Sequence, residues 1–543
     1  MKKRHKKTNF LLISVIAIIL MILVILTIPK MIIKESKTIS TGKIIYSPID
    51  FEVLKNVKSE LKNYFQSNNY WAEDGFFYYF FKEYCLYAIR DTGSCSGNNP
   101  DTPYGIYLVK RAPGEYATST IPMAPEILQD LGLSQQDNWE SMWRMRSDEA
   151  IVMIALTPPE STYYSYLPYL YSRPQSGEST SVSPKVNGRL LYYAAMDSPL
   201  NNDNINISES KFNSPIVTIL TADKTLDKKI IDQLKIILPK YGISTAIINT
   251  HVVPTDIVKT GYKNQSDDFT MLTRIIKPNN KTLMQEYYEN PPVLILRIVP
   301  NTPENTSSPK FKFTPIPARE TGNKESNLSG ALTTLANAIK SKYTLNTRSI
   351  AIESGISASM LQIKKCISYK ISCQGDNPDT TYIYYTNVEN ISNNPNDFLV
   401  VAGINHVNTN KAEFSNLAIY NNKYFFGIGS VTNENFTGSA NEFTSYATGL
   451  NKNTLINNIN QFYAYKIKRN CTGETYCYQL QEDNLVCTDM YGNLIMCPPP
   501  NTPGVDVTDP ISVIERAYRD PNGKYGPSYS EIVAPKFIKI KPK

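Results

Sequence analysis

CSGNNPDTPYGIY (residues 95–107) returns almost unchanged as CQGDNPDTTYIYY (residues 373–385). Each copy follows a second cysteine, Cys85 in the first case and Cys366 in the second. Asn before Pro is held extended and an Asp-Thr pair favours a turn, so each phrase reads as a disulfide-closed loop that launches a tyrosine-bearing strand. One chain writing this twice points to a repeated scaffold.

The correspondence continues past the phrase. DFLVVAG (397–403) stands where DEAIVMIA (148–155) stands in the first half, FSNLAIY (414–420) matches YSYLPYL (164–170), and YFFGIGSVTNEN (424–435) matches LYYAAMDSPLNN (191–202). Apolar spacing predicts helices over 51–65, 327–342 and around 358–366, and the aromatic run GFFYYFFKEYCLYAI (75–89) reads as a buried helix. Ser326 or Asn327 is placed to cap the 327–342 helix. The most legible unit is PIVTILT, then LDKKIIDQLKIILPKYG, then STAIIN (215–249), the strand, amphipathic helix and strand of a βαβ crossover. A second strand-helix-strand pattern runs over 269–299. The expected fold class is α+β (mixed α/β), with a duplicated α+β ectodomain and the βαβ unit in the first copy only. One large domain with a coincidental phrase is the competing reading.

This divides the chain into a basic tail (1–9), a transmembrane signal anchor (10–33), a stalk (34–48) and a first α+β domain (49–300). A linker rich in Pro, Ser, Thr and Asn (301–326), a second α+β domain (327–470) and a cysteine-containing C-terminal segment with its tail (471–543) follow. The anchor rests on FLLISVIAIILMILVILTI, nineteen uncharged residues. At about 1.5 Å each they span roughly the ~30 Å hydrocarbon layer. A cleavable signal peptide has a shorter apolar run and a small-residue cleavage site, whereas PKMIIKESK follows here. The basic tail keeps the N-terminus cytoplasmic and places the rest in the lumen or outside.

Of 56 Lys and Arg, seven precede residue 35, where there is no acid, which leaves 49 basic residues against 49 acidic ones. A neutral ectodomain lacks the positive excess that binds nucleic acid. Lys536, Lys539, Lys541 and Lys543 read as a solvated tail. The eight cysteines lie in local couples, Cys85 with Cys95, Cys366 with Cys373, Cys471 with Cys477 and Cys487 with Cys497, which suits disulfides in an oxidising compartment. The last four could exchange partners. No C-x2-C spacing occurs and histidine is confined to His5, His251 and His406, so no metal or other cofactor is expected. Sequons at Asn206, Asn264, Asn280, Asn305, Asn327, Asn390, Asn435 and Asn470 are no more numerous than composition gives by chance. Glycosylation there follows from the luminal topology alone.

Chemistry is sparse. The βαβ turn, TADKTLD, lacks the glycines of a dinucleotide site. GSCSG (93–97) has the outline of a nucleophile elbow, but a disulfide is the plainer reading of Cys95. Asp101, Asp148, Asp379 and Asp397 recur in matched places, and paired acids are what glycoside hydrolysis needs. Acids beside strands also serve as turn formers. His251 and His406 each follow a predicted strand, where a site with an acid such as Asp379 is conceivable. The 37 tyrosines suit sugar stacking, an interface or a core.

The heavy use of Asn, Ile, Lys and Tyr, the basic tail with its anchor, and the paired NPDT-x-Y phrases resemble uncharacterised membrane-anchored proteins of giant amoebal DNA viruses of the mimivirus type. The resemblance implies a virion-associated or host-endomembrane glycoprotein. The expected function is a single-pass, disulfide-bonded protein that acts by binding or as a surface structure, with the lipid bilayer at residues 10–33 and a protein or glycan as partners. The alternative is an anchored luminal hydrolase acting on glycans by carboxylate catalysis.

Overall fold

Ala150, Val152 and Ile154 face one apolar cluster while Ile151, Met153 and Ala155 face another, so the strand Ala150–Leu156 is buried on both sides. A run of branched apolar residues without polar alternation demands this double cover. The computed structural model describes residues 51–542 apart from 96, 118–122, 178–184, 209, 304–307, 344–346, 353–361, 386–389, 485, 489–491, 493 and 497–503. The fold is mixed α+β.

In the first half, helix α1 (Phe51–Ser67) leads into β1 (Tyr70–Phe80), α2 (Cys85–Thr92), β2 (Tyr104–Lys110), β3 (Ala150–Leu156), β4 (Ser161–Pro174) and β5 (Arg189–Ala195). Then come β6 (Pro215–Thr221), α3 (Lys224–Ile237), β7 (Ile248–Val252), β8 (Asp268–Pro278), α4 (Lys281–Glu289) and β9 (Val293–Pro300). In the second half, α5 (Ser329–Lys342) precedes β10 (Thr347–Ile352), α6 (Ile363–Tyr369), β11 (Thr380–Tyr384), β12 (Phe398–Ile404), β13 (Phe414–Asn421) and β14 (Phe426–Thr432). β15 (Phe462–Lys468), β16 (Cys477–Gln479), β17 (Ile511–Tyr518) and β18 (Lys536–Pro542) complete it.

The strand order of the second half repeats that of the first. β7-β6-β3-β9-β1 corresponds to β16-β15-β12-β18-β10, and β2-β8-β4-β5 corresponds to β11-β17-β13-β14. The outermost pair is parallel in each half, β7 with β6 and β16 with β15, and the other neighbours are antiparallel. In the first half a single long β1 joins both groups, pairing with β9 over Tyr70–Gly75 and with β2 over Phe76–Phe80. Gly75 sits at the changeover, where a Cβ would come within 2.7 Å of both Ile295 Cγ2 and the Leu108 carbonyl oxygen. In the second half the two groups are separate sheets.

The helices cover equivalent faces. Leu54, Val57, Leu61 and Phe65 of α1, with Leu226, Ile230, Leu234 and Ile237 of α3, pack on β3, β6 and β9. Leu332, Leu335 and Ile339 of α5 pack on β12, β15 and β18. Four such apolar side chains at helical spacing, each worth about 1.5–3 kcal/mol when fully buried, hold α1 in place far more firmly than helix propensity alone.

Several expectations are corrected. Residues 75–89 are not one helix: β1 runs to Phe80, a 3₁₀ turn covers Lys82–Tyr84, and α2 starts at Cys85. Paired aromatics fit a pleated surface better than a helix, where they crowd the preceding turn. Neither Ser326 nor Asn327 caps α5; a 3₁₀ turn at Ser326–Leu328 precedes it and Leu328 occupies the cap position without a side-chain bond. The second βαβ strand starts at Ile248, after a 3₁₀ turn at Thr245–Ile247.

The division at 470/471 is not a structural one, because β17 and β18 from the C-terminal segment sit inside the second-half sheets. Tyr46–Lys543 forms one compact unit. Nor is the lysine-rich end a solvated tail: Lys539 is buried within β18 and ion-paired with Asp397. The anchor at 10–33, with the tail (1–9) and the whole stalk (34–48), lies outside the described residues. Among the described residues no helix is long and apolar enough to cross a membrane.

Candidate functional site at the seam between the halves

Each repeated phrase bonds to the opposite half. In the first, the N–H groups of Cys95 and Gly97 donate to the carbonyls of Tyr424 and Phe425, both at 2.9 Å. In the second, the N–H groups of Cys373 and Gly375 donate to Tyr192 and Tyr193, at 2.7 and 2.8 Å. Asn98 Oδ1 accepts from Gly427 N at 2.8 Å, and Asp376 Oδ1 accepts from Ala195 N at 2.8 Å. Tyr420 donates its hydroxyl to the Asn98 carbonyl (3.0 Å), and Tyr169 donates to the Asp376 carbonyl (2.7 Å). The phrases thus exchange places across the seam, residue for residue.

Local chemistry explains why the phrases can do so. Disulfides Cys85–Cys95 and Cys366–Cys373 tie each one to its helix, with Cα–Cα distances of 5.2 and 5.9 Å, within the usual range. Asn99 and Asn377 accept the N–H groups of Asp101 and Asp379, turns that aim the chain into β2 and β11. Gly97 and Gly375 have φ of +72° and +71°, and a Cβ on either would press on the ring of Phe425 or Tyr193. Those two aromatics themselves carry positive φ, 46° and 42°, an uncommon state for bulky residues.

A cavity of about 130 Å³ opens at this seam, lined from both halves. Its walls include Tyr104 and Tyr382 from β2 and β11, Tyr193 and Phe425 from the crossing points, and Arg274 and Arg516. Arg274 lies in β8 opposite Ser165, and Arg516 lies in β17 opposite Asn416, so the two arginines are counterparts. Arg274 donates through Nη2 to Tyr169 Oη (2.7 Å) and the Gly375 carbonyl (3.3 Å). Arg516 donates through Nη2 to Tyr420 Oη and the Gly97 carbonyl (3.3 Å). Each guanidinium also stacks over rings, Arg274 at 5.3 Å from Tyr104 and Arg516 at 5.7 Å from Tyr382.

The sequence-derived acids and histidines are placed elsewhere. Asp101 bonds across the seam to Asn416 Nδ2 (2.5 Å) and Ser430 Oγ, beside a second cavity of about 180 Å³. Asp379 is buried, accepting from Tyr163 Oη (3.0 Å) and Asn201 Nδ2 (2.7 Å), and burial pushes its pKa up to about 6. His406 is enclosed by Glu325 (2.9 Å) and Glu515 (3.6 Å). His251 in β7 lies 3.4 Å from Asp197. Asp148 pairs with Arg146, and Asp397 with Lys539. Among the described residues no hydrogen bond, ion pair or cavity lining joins Asp101, Asp379, His251 and His406, and the seam cavity is lined by no carboxylate and no histidine.

Cys471–Cys477 forms the third disulfide, while Cys487 is not free and Cys497 lies outside the described residues. Asn305 also lies outside them, and the other seven sequon asparagines are exposed. Among the described residues no cluster of His, Cys, Asp and Glu could hold a metal ion.

Sequence reasoning missed Arg274 and Arg516. The signal was an arginine at the same place in two mostly apolar, matching strands, FTMLTRII and ISVIERAY.

No family model matches the chain, and no curated protein sequence matches it. Among solved structures, the chain is similar to an uncharacterised protein from Burkholderia cenocepacia, at 9% identity over 90% of this chain and 86% of that one, with a TM-score of 0.30. It is also similar to a protein from Vibrio parahaemolyticus, at 9% identity over 74% and 87% of the two chains, with a TM-score of 0.32.

Proposed function

We propose that this chain is a single-pass membrane-anchored binding protein, held by residues 10–33, whose luminal or extracellular part is a duplicated scaffold with its ligand site at the seam. The observation that carries the binding reading is the seam cavity itself, walled by tyrosines from both halves and containing two arginines but no acid or histidine. Aromatic walls with a few fixed polar groups are the usual make-up of a binding pocket. Three disulfides fit an oxidising compartment, and the exposed sequons fit N-glycosylation there. The viral-type resemblance adds display on a virion or a host membrane, with a protein or glycan as partner.

A carboxylate hydrolase needs two acids converging on one substrate bond. Asp101 and Asp379 make their bonds to opposite halves, so no observation favours that reading. Two measurements test the proposal. Protease added to intact microsomes spares residues beyond the anchor if they are luminal, and digestion there refutes the topology. A glycan array read alongside chromogenic glycoside assays separates retention from turnover; turnover abolished by Asp101→Asn or Asp379→Asn would overturn the binding reading.

A further inference from the structure

Seven arginines are buried among the described residues, and five of them meet a carboxylate. Arg144 and Arg189 share Asp268, Arg173 holds Asp267, Arg297 lies between Glu115 and Glu149, and Arg519 pairs with Asp203. The remaining two are the counterparts Arg274 and Arg516, each only 3% exposed, each without a carboxylate partner, and each with Nη1 making no hydrogen bond. Both line the same cavity. Guanidinium groups do not lose their charge at ordinary pH, so this seam encloses two positive charges.

We propose that Arg274 and Arg516 together hold the oxyanion of a small ligand, a carboxylate, sulfate or phosphate group carried on a ring-sized body, in the seam cavity; the inference rests on that cavity being the binding site. Leaving buried charges uncompensated is costly, and an anion between them is the compensation the protein omits. The donors are fixed in advance. Each Nη2 is tied to a tyrosine hydroxyl that is itself tied to the opposite phrase, which fixes both guanidinium groups and leaves their buried Nη1 groups as the donors still without a partner.

Asp376 lies within electrostatic reach of Arg274, but its Oδ1 is committed to Ala195 N, and burial first of all pushes its pKa up to about 7. It makes no ion pair with the guanidinium and neutralises Arg274 only in part. The rest of the cavity suits a ring, since the aromatic side chains Tyr104, Tyr382, Tyr193 and Phe425 line it. An apolar cavity of about 150 Å³ holds benzene, so at about 130 Å³ this one is on the scale of a single small ring and no larger body.

The test uses the full-length protein in detergent, with benzoate, glucuronate, sulfate and phosphate as separate probes against chloride at equal ionic strength. At least one ring-bearing anion is expected to bind one to one by calorimetry and to raise the Tm, and the four arms distinguish carboxylates from inorganic oxyanions. Arg274→Gln and Arg516→Gln are each expected to weaken binding by about tenfold to a hundredfold, with far-UV circular dichroism unchanged. A second readout needs no variant: phenylglyoxal modification of Arg274 and Arg516, mapped by mass spectrometry, is expected to slow when the anion is present. Equal affinity in wild type and both variants overturns the inference, as does absence of both binding and protection. Benzyl alcohol and methyl glucoside separate the two levels. A neutral ring that binds as well as its anion overturns the anion site and leaves the cavity a binding site, whereas failure of neutral and anionic probes alike overturns both.

Discussion

Asp376 accepts the backbone N–H of Ala195 at 2.8 Å, and the carboxyl that does so is raised by burial from 3.8 to about 7. Its counterpart in the first phrase, Asn98, makes the equivalent bond with an amide. The native state therefore keeps a proton on Asp376 that the unfolded chain has already released. With the folded pKa above the unfolded one, an acid loses stability as pH rises through the interval between them, here from about 4 to 7.

Asp376→Asn is expected to remove that slope. The variant should match the wild type near pH 4 and exceed it above pH 7, by up to about 4 kcal/mol. Urea unfolding at pH 4, 6 and 8 measures it. A stability difference that does not change with pH would sink the prediction.

His406 runs the opposite way. Burial lowers its pKa, but Glu325 and then Glu515 outweigh that and hold it at about 10. A raised histidine contributes stability that is complete below its unfolded pKa of about 6.5 and is lost as pH climbs through the folded value. Thermal unfolding of the wild type should thus weaken between pH 6.5 and 10. His406→Ala leaves the buried carboxylates of Glu325 and Glu515 without their counter-charge and is expected to cost about 3–5 kcal/mol at pH 6, with the gap narrowing toward pH 10.

Gly97→Ala and Gly375→Ala are both expected to destabilise, because each residue needs a left-handed backbone that costs a non-glycine residue about 1–2 kcal/mol. The two should differ. A Cβ at 97 would stand 2.5 Å from Phe425 Cε1, whereas one at 375 would stand 3.1 Å from Tyr193 Cε1, so Gly97→Ala is the more damaging. Denaturation midpoints rank them, and the reverse order would contradict the packing.

Replacing Cys85 and Cys95 by Ala opens a loop closed over ten residues. Both residues are buried, so the loss combines about 2–4 kcal/mol of chain constraint with disturbance of the crossing phrase. Without reductant, alkylation of the wild type should add no mass at Cys85, Cys95, Cys366, Cys373, Cys471 or Cys477. A labelled thiol at any of them would refute the pairing.

Much of the strand set was legible because it is local. PIVTILT and AIVMIAL are branched apolar runs with no other stable use than a doubly covered strand. Cys85 and Cys95, Cys366 and Cys373, and Cys471 and Cys477 lie six to ten residues apart, so their pairing is also a local matter. The aromatic run at 75–80 misled because buried helices and strands share that composition, and only pairing with β2 and β9 decided for the strand. The candidate acids misled for a related reason. Asp101 and Asp379 occupy matching positions in the sequence, yet equivalent positions in two halves that face each other bond to different partners.

By itself the sequence determined that the NPDT phrase occurs twice, each time beside a short cysteine couple and ahead of a tyrosine-bearing strand. Tertiary structure alone decided that each phrase bonds to the other half, through contacts such as Asn98 with Gly427, 329 residues apart. It alone placed Arg274 and Arg516 in one cavity without an acid. The reason is physical: side-chain period and turn chemistry act over a few residues, whereas the partner of a buried charge is set by which distant strands share a seam.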